Sequence, residues 1–349
     1  MAKILYGVAG EGTGHAMRAK EITNYLLSLG HQVKIVSYDR GYKNLSSLFD
    51  VMEIEGLGFS FENNQVRYIE TFIKNGKKLK EILGSYVDVD RLVKEFRPNI
   101  IITDFEPTCA VAARTNRIPL ISIDNQHFIS GTAIEYPKKY AKEALMTNAF
   151  VQLFVPNAKK YLALTFVKER IINKKVLLFS PILRKEVIAL KPTTGNYILV
   201  YLTAGFEGAV EYLEGINCQF VVYGLGRVGR EKNIVYKKPS QEEFLDDLCR
   251  CRGIIANAGF GLISEALYLG KPYFAIPLKN HFEQIINAYY LEKMGYGVFC
   301  EKMTMRVIND FLDKISEYQI NLEQYPKEDN AKILAEINRL IKEYGTINC

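Results

Sequence analysis

Tryptophan is absent from the 349 residues, a gap that alone carries little weight. Other absences exclude more. No run reaches the roughly 18 apolar residues of a membrane-crossing helix, so none is expected. Met1-Ala2-Lys3 leads straight into a short apolar run and a glycine loop, which is not the pattern of a secretory signal. The six cysteines show no pairing pattern. Cys249 and Cys251 form a C-x-C without a second pair or a nearby His at zinc spacing. All six are read as reduced thiols of a cytoplasmic protein. Asp88-Val89-Asp90 is an Asp-x-Asp expected to open a helix away from any site, so no metal ligands are assigned. The net charge of +6 is modest. It suits phosphorylated substrates or an anionic membrane surface. It does not amount to a nucleic-acid-binding composition, and no motif for nucleic acid is present. Low-complexity segments and repeats, beyond two similar halves, are also missing.

What is present is a strand–helix alternation. Lys3–Val8 reads as a first parallel strand, followed by the loop Ala9-Gly10-Glu11-Gly12-Thr13-Gly14-His15 and a helix over 16–29. Gly10-x-Gly12-x-x-His15, with Asp39 after the second strand, comes near a dinucleotide fingerprint. His15 stands at the third position, however, where Gly or Ala must pack, so a nicotinamide or flavin enzyme is disfavoured. Two further strands end in polar clusters, Asp104-Phe105-Glu106-Pro107 and Asp124-Asn125-Gln126-His127. Such carboxyl ends are where a Rossmann-like half places its site. A basic helix is expected over 66–83 and a shorter one over 90–96. The segment 136–154 mixes Lys138, Lys139 and Lys142 with Leu145, Met146, Phe150, Leu153 and Phe154. It reads either as a helix lying on anionic lipid or as an amphipathic helix packed on the sheet, the packed reading being preferred.

Residues 181–195 read as a linker, and Tyr197–Leu202 opens a second α/β half. The densest stretch follows, from Gly253 to Ala288. Gly253–Ala256 reads as a buried parallel strand and Asn257-Ala258-Gly259-Phe260-Gly261 as a glycine turn. A helix carries Leu262, Ile263, Ser264, Glu265, Ala266, Leu267 and Leu269 until Gly270-Lys271-Pro272 stops it. After the strand Tyr273–Pro277, a polar loop with His281, Glu283 and Gln284 enters another helix. A glycine turn lets a ligand approach the backbone, and a helix N-terminus offers free N–H groups to an anion. Glu265 stands about one turn into the helix, where a carboxylate accepts hydrogen bonds from a ribose diol. Glu283 and Gln284 supply acceptors and donors for sugar hydroxyls from the neighbouring strand end.

The glycine turn, Glu265, the Gly-Lys-Pro stop and Glu283-Gln284-x-x-Asn287-Ala288 occur in this order. They resemble the nucleotide-sugar signature of GT-B glycosyltransferases. The likeness is greatest to the group containing the peptidoglycan N-acetylglucosaminyltransferase, and it extends more distantly to the UDP-glycosyltransferases. It covers most of the chain and is specific in residues 253–288. It implies two Rossmann-like parallel-sheet domains facing a central cleft. These would be an acceptor domain over 1–187, rejoined by a C-terminal helix over 328–349, and a donor domain over 188–327. By resemblance, the donor site is Asn257, Gly259, Phe260, Gly261, Ser264, Glu265, His281, Glu283 and Gln284, with Gly205 and Gly224 at neighbouring strand ends. The Glu at 283 departs from the commoner Asp of the pattern. On the acceptor side Gly12, Thr13, Gly14, Asn125 and His127 would line the site, and His15, supported by Asp104, would be the base.

The expectation is therefore inverting, metal-independent transfer of a sugar from a nucleotide sugar, most simply a UDP-sugar, to a hydroxyl of a lipid-linked or glycan acceptor. No cofactor is expected, because the nucleotide sugar is a substrate. The place of action would be the cytoplasm, with the inner membrane face as an option. Two rivals share the features: a nucleotide-sugar 2-epimerase or hydrolase, which needs more cleft carboxylates than can be identified, and a non-catalytic nucleotide-sugar-binding protein.

Overall fold

The computed structural model describes residues 1–56, 61–62, 65–66, 78–202, 208 and 210–345. Residues 57–60 of the loop read over 56–61, most of the helix read over 66–83, and the turn holding Gly205 lie outside those residues. The chain divides into two compact units, one of Met1–Ser60, Arg67–Arg184 and Glu328–Cys349, the other of Phe61–Val66 and Lys185–Lys327.

The first unit is built on a seven-stranded sheet ordered β3-β2-β1-β6-β7-β8-β9. Its strands are β1 (Lys3–Val8), β2 (Gln32–Ser37), β3 (Val51–Glu53), β6 (Ile100–Asp104), β7 (Leu120–Asp124), β8 (Lys160–Leu164) and β9 (Val176–Phe179). β4 (Phe61–Glu62) and β5 (Gln65–Val66) form a separate antiparallel ladder. Every pairing in the seven-stranded sheet is parallel. That explains the continuous apolar runs: Ile4, Leu5, Ile100, Ile101, Ile102 and Ile121 are fully buried, with helices covering both faces. Strand order reverses between β1 and β6, the switch point at which open α/β sheets bind ligands. The helix Ala331–Tyr344 belongs to this unit. Its preceding residue, Asn330, exchanges two hydrogen bonds with the backbone of Leu183, at 2.7 and 2.9 Å.

The second unit repeats the plan with the order β12-β13-β11-β10-β14-β15-β16. These are β10 (Tyr197–Tyr201), β11 (Gln219–Tyr223), β12 (Gly229–Glu231), β13 (Ile234–Tyr236), β14 (Gly253–Asn257), β15 (Tyr273–Ile276) and β16 (Gly297–Phe299). Only β12, an edge strand not anticipated from sequence, runs antiparallel. The switch point here lies between β10 and β14. Ile198, Val200, Phe220, Ile255, Phe274 and Phe311 form the core on one face.

Two helix readings need correction. Leu79–Phe96 is one helix, and Asp88-Val89-Asp90 lies inside it rather than opening it. Ser85, Val89 and Val93 are all buried, an i, i+4, i+8 stripe that carries the helix past Gly84. The helix read over 305–315 ends at Asp313. A further one, Ile315–Glu323, follows on the buried side chains Ile315, Tyr318 and Leu322.

Candidate active site

In the first unit the register pairs Val8 with Asp104, so the ends of β1 and β6 coincide at the switch point. The β1–helix turn needs its glycines. Gly12 has φ +74°, and a Cβ on Gly10 would stand 2.1 Å from the Tyr38 carbonyl oxygen. Gly12 and Thr13 are exposed. The helix Gly14–Ser28 then places His15 and, one turn on, Arg18 over the end of β6. His15 Nδ1 lies 2.7 Å from Asp104 Oδ1. Arg18 grips the same carboxylate with both arms, Nε to Oδ2 and Nη2 to Oδ1, each at 2.5 Å. Its Nη1 donates to Asn125 Oδ1 at 3.0 Å, which brings in the end of β7. Asp104 is wholly buried and Arg18 is 5 % exposed. Burial works against the guanidinium charge, but Asp104 outweighs it and raises the pKa of Arg18.

Beneath them Tyr6 is fully buried, and its hydroxyl has no partner among the described residues. Burial, reinforced by the Asp104 charge, pushes that phenol well above its ordinary range. Beside them stands a second histidine–carboxylate pair. His127 Nδ1 lies 2.7 and 2.8 Å from the two oxygens of Asp124, which also accepts from Ser122 Oγ. Burial opposes ionisation of Asp124, but the pairing with His127 and these hydrogen bonds outweigh it and hold the carboxyl below its usual range. His127 is 3 % exposed and stacks on Tyr161 at 4.2 Å. It makes no hydrogen bond to the His15 cluster.

In the second unit the register pairs Asn257 with Ile276, so β14 and β15 end together. Asn257 Nδ2 donates to the Ile276 carbonyl, and its own carbonyl accepts from Tyr273 Oη at 2.7 Å. Gly259 is the N-cap of the helix Phe260–Tyr268, at φ −70°, and a Cβ there would meet nothing within 4 Å. The fold does not require a glycine at this position; what its missing side chain does is leave space over the helix N-terminus. Glu265 is 3 % exposed on the same helix. Ser264, also buried, donates its hydroxyl hydrogen to the Phe260 carbonyl at 2.7 Å, so only its oxygen lone pairs remain for a ligand. His281 caps the helix Phe282–Lys293 by accepting from Gln284 N–H. Burial lowers its pKa, with Glu283 acting the other way. Gln284 Oε1 accepts from Leu278 N–H at 2.9 Å, which leaves its NH₂ as the group to offer. Asn287 donates to the Ala258 carbonyl at 3.1 Å and ties this helix to the glycine turn. Gly224 stands at the end of β11 with φ +95°, on the same edge.

His15, Asp104 and Asn125 thus meet through Arg18, a residue the sequence reading missed. Its signal was the i, i+3 spacing from His15, but its partners lie 86 and 107 positions away. Asp124, Asn287 and Lys271 were likewise not assigned. Lys271 is 2 % exposed and donates to the Thr193 and Cys251 carbonyls, at 2.5 and 2.8 Å, which fastens the segment read as linker. The preferred reading of 136–154 is corrected in part. The helix Ala141–Phe154 packs through Ala144, Val151 and the stack of Phe154 on Phe105, yet it leaves Leu145 and Leu153 72 % and 76 % exposed near the exposed Lys138, Lys139 and Lys142. Among the described residues no helix is long and apolar enough to cross a membrane.

Comparison with known proteins agrees with this architecture. The family described as glycosyl transferase family 1 matches residues 2–316. The UDP-N-acetylglucosamine–N-acetylmuramyl-(pentapeptide) pyrophosphoryl-undecaprenol N-acetylglucosamine transferase of Clostridium botulinum (strain 657) is 23% identical over 373 residues, covering 99% of both chains. Among solved structures, the glycotransferase of kitacinnamycin superposes with a TM-score of 0.71 at 14% identity, covering 97% of this chain and 98% of that one. The Streptomyces sp. SF2575 glycosyltransferase SsfS6, complexed with thymidine diphosphate, gives 0.65 at 14% identity, covering 98% and 100%. At such identities the structural likeness is one of fold, and the fold is GT-B.

Proposed function

From the premise that this chain belongs to glycosyl transferase family 1, we propose that it moves a sugar from a nucleotide sugar, most simply a UDP-sugar, to an acceptor hydroxyl with inversion. The acceptor oxygen forms a bond to the anomeric carbon as the bond from that carbon to the diphosphate oxygen breaks. The proton of the hydroxyl passes to an imidazole of the first unit, a ring whose unprotonated nitrogen can act as a general base. The diphosphate departs toward the N–H groups and positive dipole end of the helix Phe260–Tyr268, a stabilisation that takes the place of a metal ion. Glu265 receives the ribose hydroxyls, and Glu283 with the Gln284 NH₂ receives the sugar.

The single observation that carries this reading is Gly259. It has an ordinary φ and empty space about its missing Cβ, at the mouth of a nine-residue helix whose preceding turn is tied by Asn287 to the helix Phe282–Lys293, which bears Glu283 and Gln284 in its first turn. The UDP in the name of the clostridial relative and the thymidine diphosphate of the SsfS6 complex support a nucleoside diphosphate. The lipid-linked acceptor in the relative's name, with the exposed Leu145, Leu153 and lysines, supports a lipid-borne hydroxyl met at the cytoplasmic face of an anionic membrane.

The test is thermal-shift titration of the full chain with UDP, GDP, ADP, TDP and their sugars, with Glu265→Ala as control. At 100 times Kd a ligand stabilises by about 2.7 kcal/mol. UDP is expected to give such a shift in the wild type and not in Glu265→Ala. The absence of a shift with any nucleotide at millimolar concentration, in folded protein, would remove the reading.

A further inference from the structure

The second unit carries a cavity of about 420 Å³ that the glycosyl-transfer reading does not use. It opens at the amino ends of the strands. Cys218 stands just before β11 and Arg252 just before β14, on either side of the start of β10. Asn309, Leu312 and Asp313 of the helix Met305–Asp313 line it as well. Because β10, β11 and β14 are parallel, the cavity lies at the end of the sheet away from the glycine turn that follows Asn257. The backbone N–H of Arg252 donates to the Tyr197 carbonyl at 2.8 Å, which holds this residue at the edge of β10. Arg252 is half-buried. Arg252 and Asp313 line one cavity, yet neither side chain forms an ion pair or hydrogen bond with the other or with any other described residue. Asp313 is the last residue of its helix, at the negative end of the dipole, where a carboxylate is disfavoured. Neither charge holds an element of the fold in place.

We propose that this cavity is a second ligand site, which binds a small zwitterion of the amino-acid class with its carboxylate on Arg252 and its ammonium group on Asp313. A guanidinium fork matches a carboxylate with two parallel hydrogen bonds. A simple anion would be drawn by Arg252 and opposed by Asp313, and a simple cation would meet the reverse. A molecule with both charges on a short frame satisfies both walls at once. The Asn309 amide can donate to one end and accept from the other, and Leu312 offers an apolar wall to the frame. The ligand is held without a covalent bond. Burial raises the pKa of Cys218 more than the Arg252 charge lowers it, so the sulfur stays a thiol rather than a nucleophilic thiolate. The site goes beyond the nucleotide-sugar reading and does not depend on it.

The experiment is thermal-shift titration of the full chain at neutral pH with the common α-amino acids, β-alanine and 4-aminobutyrate, each at millimolar concentration. Acetate and methylamine serve as single-charge controls. At least one zwitterion is expected to raise Tm in a saturable way, as a ligand does, and neither control is expected to match it. Arg252→Gln and Asp313→Asn are each expected to weaken that binding by about tenfold or more, because each removes a charge-assisted hydrogen bond. Asp313→Lys turns the anionic wall cationic. It is expected to lose the zwitterion and to gain a saturable shift with succinate, a change of preference that a damaged fold would not produce. No saturable shift with any zwitterion in the folded wild type overturns the proposal. So does an equal shift with acetate or methylamine, or full binding retained in Arg252→Gln or Asp313→Asn. The outcome separates from that of the functional reading. Arg252→Gln should keep the UDP shift of the wild type, and a protein that binds a zwitterion here but no nucleotide leaves this site standing and removes glycosyl transfer.

Discussion

The two strand-end sites, one in each unit, are built on opposite plans. The first is made of side chains that satisfy one another: Arg18, Asp104, His15 and Asn125 are linked within 3.0 Å, and the carboxylate is wholly buried. The second is made of backbone and of omission. Its side chains mostly hold main chain in place, Asn257 on Ile276, Asn287 on Ala258 and Gln284 on Leu278, and its centre is the unfilled space at Gly259. A site of the first kind couples function to stability, because every member is also a partner. A site of the second kind leaves them separable. Substitutions should therefore behave differently at the two ends.

The largest effect is expected at Asp104. Asp104→Ala leaves the buried Arg18 guanidinium without its counter-charge, which costs about 3–5 kcal/mol. Chemical denaturation measures it directly. Combining Asp104→Leu with Arg18→Met removes both charges and should recover much of the loss. A cost below about 1 kcal/mol for the single change would show that the first site is not the closed network described, and the contrast would fail. Next comes Gly224, the exception within the second site. Its φ is +95°, and a Cβ would stand 2.2 Å from the Leu202 carbonyl oxygen. Gly224→Ala is expected to destabilise by about 1–3 kcal/mol whether or not ligand is present.

The same contrast accounts for what was legible in the sequence. The second site could be read because glycine turns, the Gly-Lys-Pro stop and a Glu-Gln pair are local signals within about thirty residues, each tied to a backbone requirement. The sheets were legible for a similar reason: parallel strands buried on both faces are near-continuous apolar runs such as Ile100–Ile102. Arg18 was not legible. An arginine on a helix is ordinarily solvated, and only the folding of β6 and β7 beside β1 brings Asp104 and Asn125 to it. Lys271 was opaque for the same reason, since its carbonyl partners come from Thr193 and Cys251. The short helix break at Asp313 carries no Gly or Pro signal, and the edge strand β12 is three exposed residues, Gly229–Glu231, with no apolar alternation to read.

Acid offers a smaller and graded test. Burial lowers the proton affinity of His281, and its Nδ1 is engaged as acceptor for the Gln284 N–H. The folded state therefore takes up this proton at lower pH than the unfolded chain, whose histidines titrate near 6.5. The unfolded state binds more protons in that window. Stability is accordingly full above about pH 6.5 and declines as pH falls below it. Burial lowers the pKa of His31 as well, with the same sign. The decline is seen as a fall in Tm between about pH 7 and pH 5.5. His281→Asn keeps a capping acceptor that does not titrate in this range, so its Tm should fall less over that interval. An equal fall would mean that the cap at the second site does not carry a proton-linked cost.

The smallest effect on the free protein is the most informative. Gly259 has φ −70°, and no atom within 4 Å of where a Cβ would lie. Gly259→Ala should therefore cost only about 0.5 kcal/mol, because alanine is a poorer N-cap than glycine while its smaller loss of backbone freedom offsets part of that. The methyl group would nevertheless occupy the space through which a diphosphate approaches the N–H groups of the following helix. The expected result is a small fall in Tm without ligand, together with loss of the shift produced by UDP in the wild type. Gly224→Ala should do the opposite, lowering the ligand-free Tm by several degrees. If Gly259→Ala kept the full nucleotide shift, the open space would not be the diphosphate path, and the second site would have to be built from Glu265, Glu283 and Gln284 alone.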